Sequence, residues 1–220
     1  STEETGTRHR TAERTAKQTG ELVISISQRR NIITVFKGDF RYVIKDTAKI
    51  ITRANQALQT LENYKRVFDT KLAILNEYEF NDIVTLDNVI TCLQRAEMVM
   101  KIAKEVQNAI YELGEDGLLV KMQLEELIEN MPEEELLIVK DYIAPNKRIT
   151  PEKVLEQIKS EMEIDIKDQN KIAKYLGYEI FENYEEIAVY PKGYRILNKI
   201  PRMPDVIVNN LVKNFKSFQH

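Results

Sequence analysis

One stretch, residues 6–27, reads GTRHRTAERTAKQTGELVISIS and changes its periodicity at Gly20. Before this glycine, the segment Thr7 to Gln18 has the spacing of a helix, and glycine is a typical helix stop. After it, the segment Glu21 to Gln28 alternates as a strand does. One face of this strand would carry Leu22, Ile24 and Ile26, and the other would carry Val23, Ser25 and Ser27. The stretch therefore predicts one helix that is followed directly by a β-strand.

Two further strands are predicted after this unit. Residues 32–37 and 40–44 have strand character, and Gly38-Asp39 between them suits a two-residue hairpin turn. Three strands and one helix cannot easily bury both faces of a sheet. We therefore expect residues 1–45 to be the edge of a larger α/β domain.

The start of the predicted helix carries the main chemical signal. Arg8, His9 and Arg10 place cationic groups where the helix dipole disfavours them. A bound phosphate would offset this cost, because arginines offer forked donors and the first-turn amides are unpaired. Thr7 and Thr11 add hydroxyl groups. On chemistry alone, a phosphate site and a solvated basic turn both remain open, since short basic motifs recur by accident.

The following region, residues 46–190, is predicted to be all-helical. Asp46 or Thr47 is the candidate cap of one long helix, and a second is expected between Thr85 and Gly114. Apolar residues recur along the first helix at Ile51, Ala54, Leu58, Leu61, Phe68, Leu72 and Leu75. This apolar seam fits a bundle core, and alternatively a helix that pairs with a copy of itself.

The composition favours long helices, and the low cysteine content favours a reducing compartment. Of the 220 residues, 30% are charged and 43% hydrophobic, with only 7 Gly and 6 Pro. The single cysteine, Cys92, argues against a disulfide scaffold, and its apolar neighbours favour a buried thiol over a catalytic one. The sequence shows no signal peptide and no membrane-spanning run. We expect a cytoplasmic protein that does not bind membranes.

Charge changes sign toward the end of the chain. Residues 115–190 contain 19 acidic and 9 basic residues, whereas residues 191–220 contain 6 basic residues and one acidic residue. From Gly193 onward the pattern predicts a helix, a tight loop over Ile200 to Pro204, and a second helix from Asp205 to Phe215. The apolar residues of this second helix are expected to face inward: Val206, Val208, Leu211, Val212 and Phe215. A basic helical hairpin is a weak signal for nucleic-acid binding, and a solvated surface helix is the alternative.

The segment Glu4 to Gly20, with its Arg-His-Arg triplet, resembles the second signature of the diadenylate cyclase family. Residues 22–27, the helical middle and residues 191–202 resemble the bacterial DNA integrity scanning branch of that family, so the resemblance covers essentially the whole chain. Two expected features, an Asp-Gly-Ala triplet and a Gly-hydrophobic-Gly hairpin after the last helix, do not occur in this sequence. We therefore expect a fragment of such a protein.

The resemblance implies a mainly α fold with three parts. Residues 1–45 would be the C-terminal part of a diadenylate cyclase domain, with one helix and about three strands. Residues 46–190 would be a helical linker and assembly domain. Residues 191–220 would be a partial helix-hairpin-helix domain for DNA binding.

The resemblance also implies an activity for the parent protein, a nucleotidyltransferase. It would condense two ATP molecules into cyclic di-AMP and two pyrophosphates, with Mg²⁺ or Mn²⁺ as the metal and unknown metal ligands. Arg8, His9 and Arg10 would be catalytic. The implied ATP site consists of Gly6, Thr7, Arg8, His9, Arg10, Thr11 and Ser27.

The implied partners are ATP, cyclic di-AMP and branched DNA. The parent protein would be a homo-octamer that is associated with the nucleoid and scans DNA for damage. Lys199 and Arg202 are the candidate DNA contacts. We expect the fragment to be inactive alone, because the aspartate near the attacking hydroxyl belongs to the missing triplet. Two alternatives remain: a non-enzymatic module that binds DNA junctions or assembles under nucleotide control, and a helical scaffold without a ligand.

Overall fold

The computed structural model describes residues 6–27, 32–44, 46–145, 148–162, 168–179 and 183–215. These parts of the chain are mainly helical and contain one small sheet, as the sequence predicts. The helices are α1 (Thr7–Thr19), α2 (Thr47–Asn81), α3 (Leu86–Leu113), α4 (Leu118–Ile128), α5 (Met131–Tyr142), α6 (Pro151–Met162), α7 (Gln169–Leu176), α8 (Tyr194–Asn198) and α9 (Asp205–Phe215). The strands are β1 (Leu22–Ser27), β2 (Ile32–Lys37) and β3 (Phe40–Ile44).

Helix α1 and the sheet form the N-terminal unit. Gly20 ends α1 in the left-handed conformation, with φ of 74°, and its N–H donates to the carbonyl of Ala16 at 2.8 Å. The three strands are antiparallel in the order β1-β2-β3. Helix α1 packs on β1 and β2, and the face that it covers buries Ala16, Ser25 and Phe36.

The opposite face of the sheet is apolar and exposed within the described residues. The side chains that β1 and β3 place there are between 41% and 62% exposed: Leu22, Ile24, Ile26, Phe40, Tyr42 and Ile44. A stable domain buries such a face. The prediction that one helix leaves half of the sheet uncovered is confirmed for this unit.

The apolar seam of α2 lies in the core of the helical region. Asp46 caps α2 by accepting the N–H of Ala48 at 3.0 Å, and Thr85 with Asn88 forms a capping box at the start of α3. The best-buried seam residues are at most 4% exposed: Ala54, Leu58, Leu61, Phe68 and Leu75. The seam therefore packs inside the bundle, mainly against α3.

Lys65 interrupts this seam without leaving a buried charge. Its ammonium group donates to Asp69 at 2.6 Å and lies 5.7 Å from the ring centroid of Phe68. The alkyl stem can cover the apolar ring while the charge stays near solvent. A lysine in the apolar pattern is therefore compatible with a continuous helix.

Helices α4 to α7 complete one apolar core with α2 and α3. Cys92 is fully buried in it, and burial raises the pKa of its thiol to about 12. This confirms a buried thiol and makes the thiolate nucleophile inaccessible near neutral pH. None of the helices in the described residues combines the length and apolar composition that crossing a bilayer requires.

The C-terminal helices follow the predicted helix, loop, helix pattern. Helix α8 packs on α5, and α9 packs on α8. Along α9, Val208 and Val212 are buried, whereas Val206 and Phe215 are more than half exposed. The prediction that Val206 and Phe215 face inward is therefore wrong for the described residues, because α9 presents only a narrow stripe to the bundle.

Candidate nucleotide site and C-terminal element

The first turn of α1 contains no acid, and its backbone donors have no side-chain acceptor among the described residues. Gly6 is the N-cap, and within the described residues no side chain caps the helix. The first turn contains no acidic residue, so the positive end of the helix dipole is offset by nothing in that turn. The N–H groups at this end are therefore available to an anion.

Arg8, His9 and Arg10 all lie on this first turn. Both arginines are exposed, and His9 is half-buried. Two guanidinium groups in the same turn as a helix N-terminus supply the donors and the positive charge that a polyphosphate requires. The local sequence predicts this placement correctly, since the helix begins at Thr7.

The hydroxyl of Thr11 has a partner within its own helix. It donates to the carbonyl of Thr7 at 2.9 Å. A hydroxyl has one proton, so donation to a phosphate would require rotation of the Thr11 side chain away from this carbonyl. Its role in an ATP site remains a prediction.

Ser27 lies at the same end of the unit as the Arg-His-Arg triplet. Gly20 and Glu21 alone connect α1 to β1, so the chain reverses directly. With 13 residues in α1 and 6 in β1, both elements span about 20 Å. Ser27 therefore returns to the level of the first turn of α1, half-buried on the helix-facing side of the sheet.

Glu13 is a buried acid beside this surface that sequence reasoning missed. It is 5% exposed, and its Oε1 lies 2.9 Å from the ammonium group of Lys17. Its Oε2 has no hydrogen-bond partner among the described residues. The signal was present in the sequence, because Glu13 is four residues after His9 and three before Ala16, on the covered face of α1.

Two of the basic residues in the C-terminal segment serve the fold. Lys192 donates to the carbonyls of Lys140 and Ile143, at 3.3 and 2.6 Å. Arg195 is 2% exposed. These two basic residues of the stretch from Lys192 to Lys216 are therefore not available to DNA, and Lys216 lies outside the described residues.

Arg195 is the centre of a buried polar cluster. Its guanidinium donates to Glu79 at 2.6 Å, to Asn76 at 2.7 Å and to Glu134 at 2.8 Å. Tyr142 donates its hydroxyl to Glu79 at 2.6 Å. Helix α8 is thereby linked to the last turns of α2 and to α5.

Asp141 binds the start of α8 from the side of α5. Its carboxylate accepts the N–H groups of Gly193, Tyr194 and Arg195 at 2.6–3.0 Å. Burial raises the pKa of Asp141 to about 6, although the backbone hydrogen bonds from Arg195 and Tyr194 favour the ionised form. The site at the N-terminus of α8 is therefore already occupied by a carboxylate of the protein itself.

The candidate DNA contacts lie at the turn between α8 and α9. Lys199 and Arg202 are exposed, and Arg202 adopts a left-handed conformation with φ of 62°. Pro201 and Pro204 lack backbone N–H groups, so this loop offers few amide donors to a phosphate. Any contact with DNA here would rely on the two side chains.

Comparisons with known proteins assign the chain to a family. Residues 44–184 match the family described as DisA bacterial checkpoint controller linker region. The chain belongs to the DisA family. Residues 1–40 match a second description, DisA bacterial checkpoint controller nucleotide-binding.

Relatives named DNA integrity scanning protein DisA are similar along nearly the whole chain. The protein from Clostridioides difficile is 47% identical over 218 residues, which cover 99% of this chain and 61% of that relative. The Carboxydothermus hydrogenoformans protein is 47% identical, with 99% and 62% covered, and a Clostridium botulinum protein is 48% identical, with 98% and 60% covered. The chain thus spans about three fifths of the length of these curated relatives.

The DisA match that concerns nucleotide binding includes every residue of the predicted ATP site. Gly6 to Thr11 and Ser27 all fall within residues 1–40. The match does not assign a role to any single side chain. The individual roles of these residues therefore stay predictions.

The described residues do not fit a metal centre of their own. They contain no group of three or more His, Cys, Asp or Glu side chains arranged to hold an ion. In the first turn of α1, His9 is the one side chain of those four types. The donor set of this surface suits phosphate oxygens rather than a cation.

Proposed function

We propose that residues 6–27 form part of the ATP site of a diadenylate cyclase in the DisA family. The observation that carries the proposal is the Arg-His-Arg triplet on an uncapped helix N-terminus without an acid. The match of residues 1–40 to a nucleotide-binding family supports it. The enzyme would condense two ATP molecules into cyclic di-AMP and two pyrophosphates.

In each of two equivalent steps, a ribose 3′-hydroxyl attacks the α-phosphorus of an ATP. A new P–O bond forms, the bond to the pyrophosphate oxygen breaks, and pyrophosphate leaves with that electron pair. The hydroxyl proton passes to water or a base. Catalysis of such a step depends on alignment and on stabilisation of phosphate charge.

The residues of the first turn have separate roles in this proposal. Arg8 and Arg10 bind the triphosphate and offset the charge that builds on the leaving pyrophosphate. His9 contacts a phosphate oxygen from the half-buried side of the helix. Gly6 and Thr7, at the start of α1, contribute backbone groups, and Thr11 and Ser27 contribute hydroxyl groups. Two such surfaces face one another, each holding one ATP.

A divalent cation, Mg²⁺ or Mn²⁺, would enter with ATP and supply further charge neutralisation at the phosphates. Because the described residues do not supply a set of ligands for it, no step above is assigned to the metal. The roles proposed for Arg8, His9 and Arg10 concern contacts with phosphate oxygens and do not depend on the metal.

We propose that the whole protein is a homo-octamer that binds branched DNA and is associated with the nucleoid. The name of the relatives, DNA integrity scanning protein, supports a role at DNA. Lys199 and Arg202 would contribute contacts from the turn between α8 and α9. The remaining contacts would come from a second hairpin that packs on the exposed side of α9.

Product formation tests the function. A full-length protein carrying this sequence is incubated with ATP and divalent cation, and cyclic di-AMP and pyrophosphate are quantified. We expect two pyrophosphates for each cyclic di-AMP. ATP binding without any cyclic product would favour instead a non-enzymatic module that nucleotide regulates.

A further inference from the structure

Glu13 is buried on the covered face of α1 with only half of its carboxylate satisfied. The residue is 5% exposed, and Oε1 lies 2.9 Å from the ammonium group of Lys17. The other oxygen, Oε2, has no hydrogen-bond partner among the described residues. An unsatisfied buried acceptor destabilises a fold, so its presence here points to a role outside folding.

The sheet beneath α1 does not satisfy this oxygen either. Ser25 and Thr34 are buried polar residues of the covered face, and the register of β1 and β2 places them side by side. Neither hydroxyl donates to Oε2 of Glu13. Lys17 also lies 3.8 Å from Asp39, so one ammonium group is shared between two acids. The second oxygen of Glu13 is therefore available to a further donor.

His9 is the donor that lies closest along the helix on the buried side. It precedes Glu13 by four residues, so the two side chains share one face of α1, with Cβ atoms about 6 Å apart. Helical side chains lean toward the N-terminus of their helix, which directs the Glu13 carboxylate toward the turn of His9. His9 is half-buried, whereas Arg10, three residues before Glu13, is exposed, and Lys17 is the cation that pairs with Glu13 among the described residues.

A carboxylate next to a histidine has a definite chemical effect. An imidazole that donates one N–H to a carboxylate is fixed in its orientation. The other ring nitrogen then points away from the carboxylate, toward the open end of the first turn. When both nitrogens carry a proton, this second N–H can donate to a phosphate oxygen. The carboxylate on one side and the phosphate on the other both favour that form of the ring.

We propose that Glu13 is a positioning residue, which accepts an N–H of His9 when ATP occupies the first turn of α1 and so holds the ring toward the phosphates. The inference rests on the proposed cyclase function and adds to it a residue outside the Arg-His-Arg triplet. Rotation of the His9 side chain is sufficient to make the contact, because both residues belong to one continuous helix.

Steady-state kinetics of a full-length protein carrying this sequence tests the role. Glu13→Met removes both carboxylate oxygens and keeps a similar volume. We expect kcat for cyclic di-AMP formation to fall about 100-fold while KM for ATP changes less than about threefold, since an oriented N–H matters most where charge builds in the transition state. Glu13→Gln keeps one acceptor oxygen and should lose only about tenfold in kcat.

Thermal unfolding of the same samples separates this role from a structural one. Replacement of an incompletely paired buried charge by an apolar residue of similar volume is often neutral or stabilising. Glu13→Met should therefore unfold at the wild-type temperature or above it although its kcat is low. Lys17 is left with solvent and Asp39 as partners. A residue that only supports the helix would instead lose stability and activity together, and that result would overturn the inference.

Glu21→Gln is the matched control, because it makes the same chemical change at an exposed acid just after α1. It should leave kcat and the unfolding temperature unchanged. A wild-type protein that forms no cyclic di-AMP would overturn the proposed function and this inference with it. Product from wild type together with a near-normal kcat in Glu13→Met would overturn the inference alone. If Glu13→Met does not fold, a near-normal kcat in Glu13→Gln would do the same.

Discussion

At the scale of single residues, Arg195 lies where α2, α5 and α8 meet, and its guanidinium contacts Glu79 and Glu134. Both its charge and those of its partners are removed from solvent to a large extent. Such a cluster is weak as a source of net stability, but the loss of one member is costly because it leaves buried charge without a partner.

Arg195→Ala should destabilise the fold by about 3–5 kcal/mol, since Glu79 would remain buried next to Tyr142 without its cation. Arg195→Lys should recover only part of this loss, because one ammonium cannot reach three acceptors as a guanidinium does. Urea unfolding followed by circular dichroism measures both. Lys199→Ala, an exposed neighbour, is the control, and equal stability of all three variants would contradict the role of the cluster.

Glu97 should make stability fall as pH rises. Its pKa is about 8 in the folded chain and about 4.5 where it is exposed, so the folded state binds more protons between these values. Its contribution is therefore fully present below about pH 4.5 and is lost as pH rises through about 8.

Glu97→Gln removes this proton linkage. Between pH 5 and pH 9, the free energy of unfolding of wild type should therefore fall by about 1–3 kcal/mol more than that of Glu97→Gln. Exposed Glu62→Gln is the control. Identical pH slopes for wild type and Glu97→Gln in urea titrations would argue against a raised pKa in the folded state.

At the scale of elements, Asp141 connects two helices that are far apart in sequence. Its carboxylate takes the place of a local N-cap for α8, a helix of only five residues with no side-chain cap of its own. A helix this short does not form in isolation. Its existence therefore depends on α5.

Asp141→Ala should release α8 more than it unfolds the bundle. We expect a loss of about 1–3 kcal/mol, together with faster hydrogen exchange at the amides of Tyr194 and Arg195. Asp205→Ala, in the first turn of α9, should leave those amides protected. Unchanged exchange in Asp141→Ala would contradict the capping role.

The elements themselves follow from local cues in the sequence. Asp46 and Thr85 begin the two long helices, and Gly20 and Gly177 end α1 and α7, because capping and left-handed turns are properties of a few adjacent residues. The first-turn placement of the Arg-His-Arg triplet is predictable for the same reason.

The contacts that sequence reasoning missed join distant parts of the chain. Arg195 and Glu79 are 116 residues apart, and Asp141 and Gly193 are 52 apart. A basic residue in a basic segment gives no local sign that it will be buried. The partners of Glu97 likewise come from α5 and α6, so no periodicity in α3 reveals them.

At the scale of the whole molecule, apolar surface is exposed both beside the proposed nucleotide site and beside the candidate DNA contacts. One face of the sheet and one side of α9 expose apolar side chains. The basic charge of the C-terminal segment is reduced, because Lys192 and Arg195 bind within the bundle. Within the described residues of this segment, Lys199, Arg202 and Lys213 remain exposed.

The chain should therefore bind branched DNA weakly, with a steep loss of affinity as salt rises. The double change Lys199→Ala with Arg202→Ala should remove about two phosphate contacts and so make the slope of log affinity against log salt shallower by about 2. The control Lys121→Ala, at an exposed lysine of α4, should not change this slope. Fluorescence anisotropy over a salt series measures this. Affinity equal to that of a full-length family member at physiological salt would contradict the prediction.

The most direct test of the account concerns the first turn of α1. Arg8→Ala and His9→Ala are introduced into a full-length protein carrying this sequence, and cyclic di-AMP yield and thermal unfolding are measured on the same samples, with Lys121→Ala as control. We predict that both variants lose the cyclic product while their unfolding temperatures stay close to wild type, because the triplet opposes the helix dipole and does not stabilise the fold. Near-normal product from both variants would contradict the assignment of this surface to ATP.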